Sequence, residues 1–369
     1  MIDMLFIECY QTLLSYKNAM TSFSSSTFDM AFPQYHLLFL SAFMLCMIAS
    51  SGATLLSPGL AALTSPLSSD EVAEYTNELL SSGGFKNTHE FCSKAGILCG
   101  PEASTIKINS CTRMSKRRRL LADQHTGILM NCHQKFGANA LKTLELFFVR
   151  FQDLSPGKTI TVFSAEMGSH LALKRSFLPK PISNLLPMSL DKLPGVLDTL
   201  DIAPDSDIAT AMATNLQMCV DADPKGFNDR ACPASMEDLT SFITTRLGTN
   251  TPKAFEFLYD PTIVEKPLTV VSMELLSPAG TKQYSCHTLS FAFEAMYCHN
   301  LPSTNIYKMT AEVTDKDGKT TTVDNLGVSC HLDTSGFDPR HPAMHALNIK
   351  PGQGEVCHLL LNAVVYAAM

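Results

Sequence analysis

From Leu268 to the C-terminus, apolar residues recur at alternate positions or in short unbroken runs: LTVVSMELL, SFAFEAMYC, IYKMTAEVT, TTTVDNLGVSC and VCHLLLNAVVYA. Runs of this length, rich in β-branched and aromatic residues, predict strands. The sequence Asp315-Lys316-Asp317-Gly318-Lys319 joins two of them as a hairpin. Upstream, LELFFVRFQDLSPGKTITVF starts at Leu144 and predicts a buried strand, a turn at Ser155-Pro156-Gly157 and an alternating second strand. Pro179, Pro181 and Pro187 forbid long regular elements in SFLPKPISNLLP.

Helical spacing appears in two places. In SSDEVAEYTNELL, Ser68 and Glu71 are spaced as a capping box, and Val72, Tyr75 and Leu79 or Leu80 form one apolar face. Ser-Ser-Gly-Gly at 81–84 ends that helix. The second helix runs from Asp207 to Met218 and stops before Cys219. Residues 85–140 carry Cys92, Cys99, Cys111 and Cys132 without clear periodicity, and they read as a small disulfide-tied pro-region. The expected fold class is mainly β (α+β), with a small helical, Cys-containing N-terminal region.

The N-terminal pattern is of another kind. Leu37–Ala49 is an unbroken apolar run, and Ser51-Gly52-Ala53 supplies the small residues of a cleavage site. The run is shorter than the ~20 residues of a bilayer span, so no stable membrane anchor is expected. Reading from Met30 gives an ordinary secretory leader at 30–53, with 1–29 as a mis-assigned or extended start. A linker and pro-region at 54–143 and a main domain at 144–369 complete the expected organisation. Localisation follows from the leader: secreted, to the cell wall (apoplast) or vacuole. No glycosylation sequon is present, since Pro252 spoils Asn250-Thr251-Pro252.

Composition narrows the picture only slightly. An apolar content of 45% and a charged content of 17% describe a globular chain. The net charge of −7 argues against a nucleic-acid partner. The one basic run, SKRRRL at Ser115–Leu120, reads as a solvated loop or a processing site.

Cysteine and histidine carry the candidate chemistry. With 12 Cys and 11 His in 369 residues, random mixing gives about 0.4 Cys-His dipeptides. Five occur: Cys132-His133, Cys286-His287, Cys298-His299, Cys330-His331 and Cys357-His358. Loss of the leader removes Cys9 and Cys46 and leaves an even ten, for which disulfides are the default in an oxidising compartment. Neighbouring residues of a strand point to opposite faces, so such a doublet sends sulfur one way and imidazole the other. Three readings follow: a structural zinc site of four thiolates, disulfides beside ordinary surface histidines, or disulfides plus a histidine metal site. Copper is the ion an imidazole cluster with few soft ligands holds most tightly. Because imidazoles must be neutral to bind it, affinity is expected to fall below about pH 6.5.

Four of the doublets, separated by ten, thirty and twenty-five residues, resemble the signature of the plant BURP domain. CHLDTSGFDPRH at 330–341 and LNIKPGQGEVCH at 347–358 are similar to the family's segments around its last two pairs. The likeness extends upstream through FFVRFQDLSPGKTI and SFLPKPIS to CVDADPKGFNDRACPASMEDL. Some BURP proteins are copper-dependent peptide cyclases that join an aromatic side chain oxidatively to another atom of a core peptide. The resemblance implies His287, His299, His331 and His358 as copper ligands, with His341 as the best fifth. It implies a Cys219–Cys232 disulfide and pairing of Cys286, Cys298, Cys330 and Cys357 among themselves, in one of three connectivities.

The chain also departs from the pattern. Phe337 and Tyr366 stand where the family usually has Trp, the chain has no Trp at all, and the thirty-residue interval is long. Tyr75 is the one tyrosine between leader and domain, and its helical spacing marks it as a packing residue. His345 is expected on the surface. The function this implies is a secreted histidine–copper protein of the cell wall or vacuole, acting in development or stress. The alternative is a copper-dependent oxidative cyclase crosslinking Tyr or Trp of a core peptide supplied in trans. Expected partners are accordingly a cell-wall polymer or a peptide. No hydrolase or kinase motif stands out.

Overall fold

Among the described residues the chain forms eleven strands, of which β3 and β4 were not expected from the apolar pattern: β1 (Phe148–Val149), β2 (Thr159–Thr161), β3 (Arg230–Ala231), β4 (Lys253–Phe257), β5 (Pro267–Ser277), β6 (Gln283–Thr288), β7 (Met296–Asn300), β8 (Thr304–Thr314), β9 (Thr320–His331), β10 (Val356–Leu360) and β11 (Ala363–Ala367). The computed structural model describes residues 57–106, 148–161, 175–220, 229–258, 263, 266–337, 339 and 341–369. These lie in one unit, Ser57–Met369. The expected leader, the basic run at 115–120, Cys111 and Cys132-His133 lie outside the described residues.

Two antiparallel sheets result, in the orders β1-β10-β9-β8-β5-β2 and β3-β7-β6-β11-β4. The β8–β9 hairpin turns at Asp315–Lys319, as its Asp-Gly sequence requires. The sheets pack through Phe255, Phe257, Ala363, Val365 and Ala367 of one and Ile306 and Leu360 of the other. The other face of the larger sheet buries Val270, Met309, Ala311, Val328, Cys330 and Cys357 under Leu154 and Ile263.

Helices cover the outer side of the smaller sheet and build a second core. Ser69–Ser82 has the predicted capping box of Ser68 and Glu71, and Gly83 ends it at φ 71°, where only glycine is free of strain. Helices Thr88–Ala95, Gly100–Thr105 and Met236–Leu247 follow from local caps or prolines that the apolar pattern alone did not reveal. Asp207–Val220 runs two residues beyond the expected end, so that Cys219 lies in its last turn, bonded to Cys232. The apolar run SFAFEAMYC is strand only from Met296; Leu289–Ala295 is a buried coil, which apolar content cannot tell from a buried strand.

The expected boundary at residue 144 is not a packing boundary. Tyr75, Phe85, Phe91 and Ile97 share one apolar cluster with Ile182, Val196, Met212, Phe291 and Phe293. Backbone bonds stitch the same layers together: Leu98 N to Ala292 O at 2.8 Å, Ser176 N to Gly96 O at 2.9 Å and Gly100 N to Leu200 O at 2.9 Å. A Cys92–Cys99 disulfide closes the turn between two of the N-terminal helices. Among the described residues no helix is long and apolar enough to cross a membrane.

Candidate functional site

Strand register sorts the doublets. Cys286 lies directly opposite Cys298, and Cys330 opposite Cys357, in adjacent antiparallel strands. Both pairs are disulfides with Cα atoms 4.0 Å apart and no exposed surface. Among the described residues no cysteine is free. The thiolate zinc reading therefore has no ligands there.

One position along, each histidine turns to the opposite face. His287 is paired with Ala363, and His299 shares a cross-strand row with Ser285 and Val365. His358 shares a row with Ser329 and Ile306. Ala363, Val365 and Ile306 belong to the inter-sheet core, so all of these imidazoles project from the two faces that pack together. The His287 and His299 rings stack 5.5 Å apart at 11°, and the His331 and His358 rings 5.5 Å apart at 23°. The imidazoles thus come as two pairs, one on each sheet. Among the described residues no group of three or more His, Cys, Asp or Glu is arranged around a single metal position.

Hydrogen bonds set the tautomers. His299 Nδ1 lies 3.0 Å from Asn300 O and His358 Nδ1 3.0 Å from Leu359 O. A carbonyl only accepts, so both Nδ1 atoms carry the proton. In the neutral ring this makes Nε2 the basic nitrogen of His299 and His358. Thr304 Oγ1 lies 2.8 Å from Pro302 O and 3.1 Å from His331 Nδ1, which it holds by a hydrogen bond. His331 Nε2 and His358 Nε2 face each other at 3.3 Å. A proton on one of the two nitrogens makes this a hydrogen bond, and a metal ion between them is the other arrangement that makes the contact attractive. Metal–imidazole bonds of about 2.0 Å span nitrogen separations of roughly 2.8 to 4.0 Å, which includes this one.

His341 is placed differently. It is 3% exposed, and its Nδ1 accepts from Ala343 N at 3.1 Å, capping the short Pro342–Ala346 helix. That bond occupies the Nδ1 lone pair and puts the neutral ring's proton on Nε2, so His341 fits a wall of the site better than a fifth ligand. Phe337 lies between His331 and His341, with ring centroids 5.6 and 4.9 Å away, and Phe148 packs on His341 and His358. Phe337 thus packs beside the second pair. Thr334, fully buried, ties this segment to the last approach by donating to Gly354 O at 2.9 Å and accepting from Gly352 N at 3.1 Å. His345 is exposed. Tyr75 is 8% exposed, locked edge-on against Phe85 and Phe91.

Sequence reasoning missed two neighbours of the first pair. Tyr297 lies opposite His287 in register, with its ring 5.4 Å from His299. The loop between the two doublets is held by a buried ion pair, Arg175 with Glu294, at 3.7 Å. Strand alternation from His299 to Tyr297 was the signal for the first; nothing in the sequence links Arg175 to Glu294.

The pattern that defines the BURP domain matches residues 146–368. The chain is similar to BURP domain-containing protein 3 of Oryza sativa subsp. japonica, 33% identical over 58% of this chain and 48% of that protein. It is similar to the polygalacturonase non-catalytic subunit AroGP2 of Solanum lycopersicum, 33% identical over 51% of this chain and 29% of that one. Against BURP domain protein RD22 of Arabidopsis thaliana, identity is 28% over 58% of this chain and 53% of the relative. The chain therefore spans about half, or less, of the length of these relatives.

Proposed function

Since this chain belongs to the BURP-domain family, we propose that it is a secreted plant protein of the cell wall or vacuole, with a histidine copper site, acting in development or stress. The observation that carries the reading is the 3.3 Å approach of His331 Nε2 to His358 Nε2, a separation that two imidazoles sharing one metal ion can have. His331 and His358 would hold the ion, and His287 and His299 form the second nitrogen pair on the facing sheet. Copper bound there supplies one-electron chemistry that side chains alone lack. The protein's own part is to keep Nδ1 of His299 and His358 protonated through the Asn300 and Leu359 carbonyls, so that Nε2 stays basic there, and to shield the rings with Phe148 and Phe337. Relatives that are polygalacturonase non-catalytic subunits favour a wall polymer as the partner.

A second reading, oxidative cyclisation of a peptide, rests on the same imidazoles. Burial of Tyr75 in the helical core removes it as a substrate in cis, so the peptide's Tyr or Trp would come from another chain. Metal analysis of the purified secreted protein, beside His331→Ala and His358→Ala variants, tests the site. Copper in the parent and its loss in both variants is the expected result; a parent that binds none refutes it. Incubating the copper-loaded protein with Tyr and Trp peptides in air separates the readings, since cyclisation yields products about two mass units lighter.

A further inference from the structure

The His287–His299 pair stands on β6 and β7, and the loop that joins them, Leu289–Ala295, is buried from end to end. No residue in it exceeds the 9% exposure of Ser290. A coil at that depth must find partners for its backbone groups elsewhere in the chain. Three separate segments provide them. Leu98 N donates to Ala292 O at 2.8 Å and Asn215 Nδ2 to Ser290 O at 2.7 Å, while Ser176 O accepts from Glu294 N at 2.9 Å. Arg175 does the most: its Nη1 donates to Leu289 O and to Phe291 O, each at 3.0 Å, while Nη2 lies 3.7 Å from Glu294 Oε2.

We propose that Arg175 is a positioning residue for the first imidazole pair: through the Leu289 and Phe291 carbonyls and through Glu294, it fixes the spacing and tilt of His287 against His299. The inference rests on reading that pair as a metal-binding element. Stability is a poor reason for the arrangement. Both side chains are essentially fully buried, and Arg175 Nε and Nη2 and Glu294 Oε1 make no hydrogen bond. Buried ion pairs with incomplete hydrogen bonding are often matched or bettered in stability by apolar residues of similar volume, whereas they do enforce one geometry. Burial pushes the Glu294 carboxyl up and the Arg175 guanidinium down, so each charge is held at a cost. The link between His331 and His358, residues 332–355, is tied differently, by Thr334 to Gly352 and Gly354, and its Leu332, Asp333 and His345 are exposed.

The test uses the full chain with Arg175→Lys and, separately, the double variant Arg175→Met/Glu294→Leu, which removes both charges and guards against misfolding. Imidazole NMR signals are recorded without metal, and Cu(II) is then titrated in. The double variant is expected to stay folded while the His287 and His299 resonances move and those of His331 and His358 hold. Copper affinity at the first pair should fall by about 10-fold, the usual cost of losing an outer-shell partner. Arg175→Lys, which keeps the charge but not the two-carbonyl fork, should shift the same two signals by less. Unchanged His287 and His299 resonances in a folded double variant overturn the proposal. If the parent chain binds no copper and yet those two resonances move, the metal reading fails and the positioning role stands.

Discussion

Gly327 of β9 lies beneath the ring of Phe257 of β4, so close that a β-carbon at 327 would overlap the ring carbons. This contact lets the two sheets approach at the level where the imidazoles project inward. Gly327→Ala is expected to lower stability by about 1–3 kcal/mol through overpacking, measured by urea unfolding. Combining it with Phe257→Leu should cost less than the sum of the single changes, because the smaller side chain makes the room that the methyl needs. Strict additivity would show that the sheets do not meet there.

The cross-strand disulfides are expected to contribute unequally. Cys286–Cys298 closes a loop of 12 residues and Cys330–Cys357 one of 27. Loop entropy alone gives about 2.8 kcal/mol for the first and about 3.6 kcal/mol for the second. Paired Cys→Ala variants, compared by denaturant unfolding, should show the larger loss at 330 and 357. An equal or reversed order would mean that packing at 0% exposure, and not chain entropy, dominates.

Strand alternation made the division of sulfur from imidazole legible in the sequence, since the face of each residue follows from its parity once the strand is known. The capping box at Ser68 and Glu71 and the Asp-Gly hairpin were legible for the same local reason. Disulfide connectivity was not, because it depends on which strands become neighbours. The grouping of the histidines into two pairs was hidden likewise: β6 and β7 lie in one sheet and β9 and β10 in the other. Least legible was the merger of residues 57–106 with the main domain. Phe91 and Phe293 share one core across some two hundred positions, and no local pattern announces that.

The helical layer should respond to acid through its cap. Backbone and side-chain hydrogen bonds from Ser68 hold the Glu71 carboxyl below its ordinary 4.5. A depressed acid contributes stability above that pH and loses it as pH falls through the lowered value. Wild-type protein should therefore lose stability as pH falls below the ordinary carboxylate range, and Ser68→Ala should show a shallower slope there. Identical slopes would show that the box does not form in solution.

Tyrosine ionisation offers the last test. Tyr284 of β6 and Tyr366 of β11 lie directly opposite each other on the outer face of the smaller sheet, 2% and 0% exposed. Burial raises both phenols above their ordinary 10.0, helped at Tyr284 by its bond to Asp229 and at Tyr366 by Glu256. A group whose pKa is raised by folding contributes fully below its unfolded value and loses that contribution as pH climbs beyond it. Of the nine tyrosines, at least these two should stay protonated in the alkaline absorbance titration until the chain unfolds. Their substitutions should differ. Tyr284 donates to Asp229, which also holds Arg246 at 2.6 Å, so Tyr284→Phe should cost about 1–2 kcal/mol. The Tyr366 hydroxyl is buried without a hydrogen bond, so Tyr366→Phe removes an unsatisfied group and should be neutral or stabilising. An equal loss at both positions would mean that the Tyr366 hydroxyl has found a partner beneath the sheet.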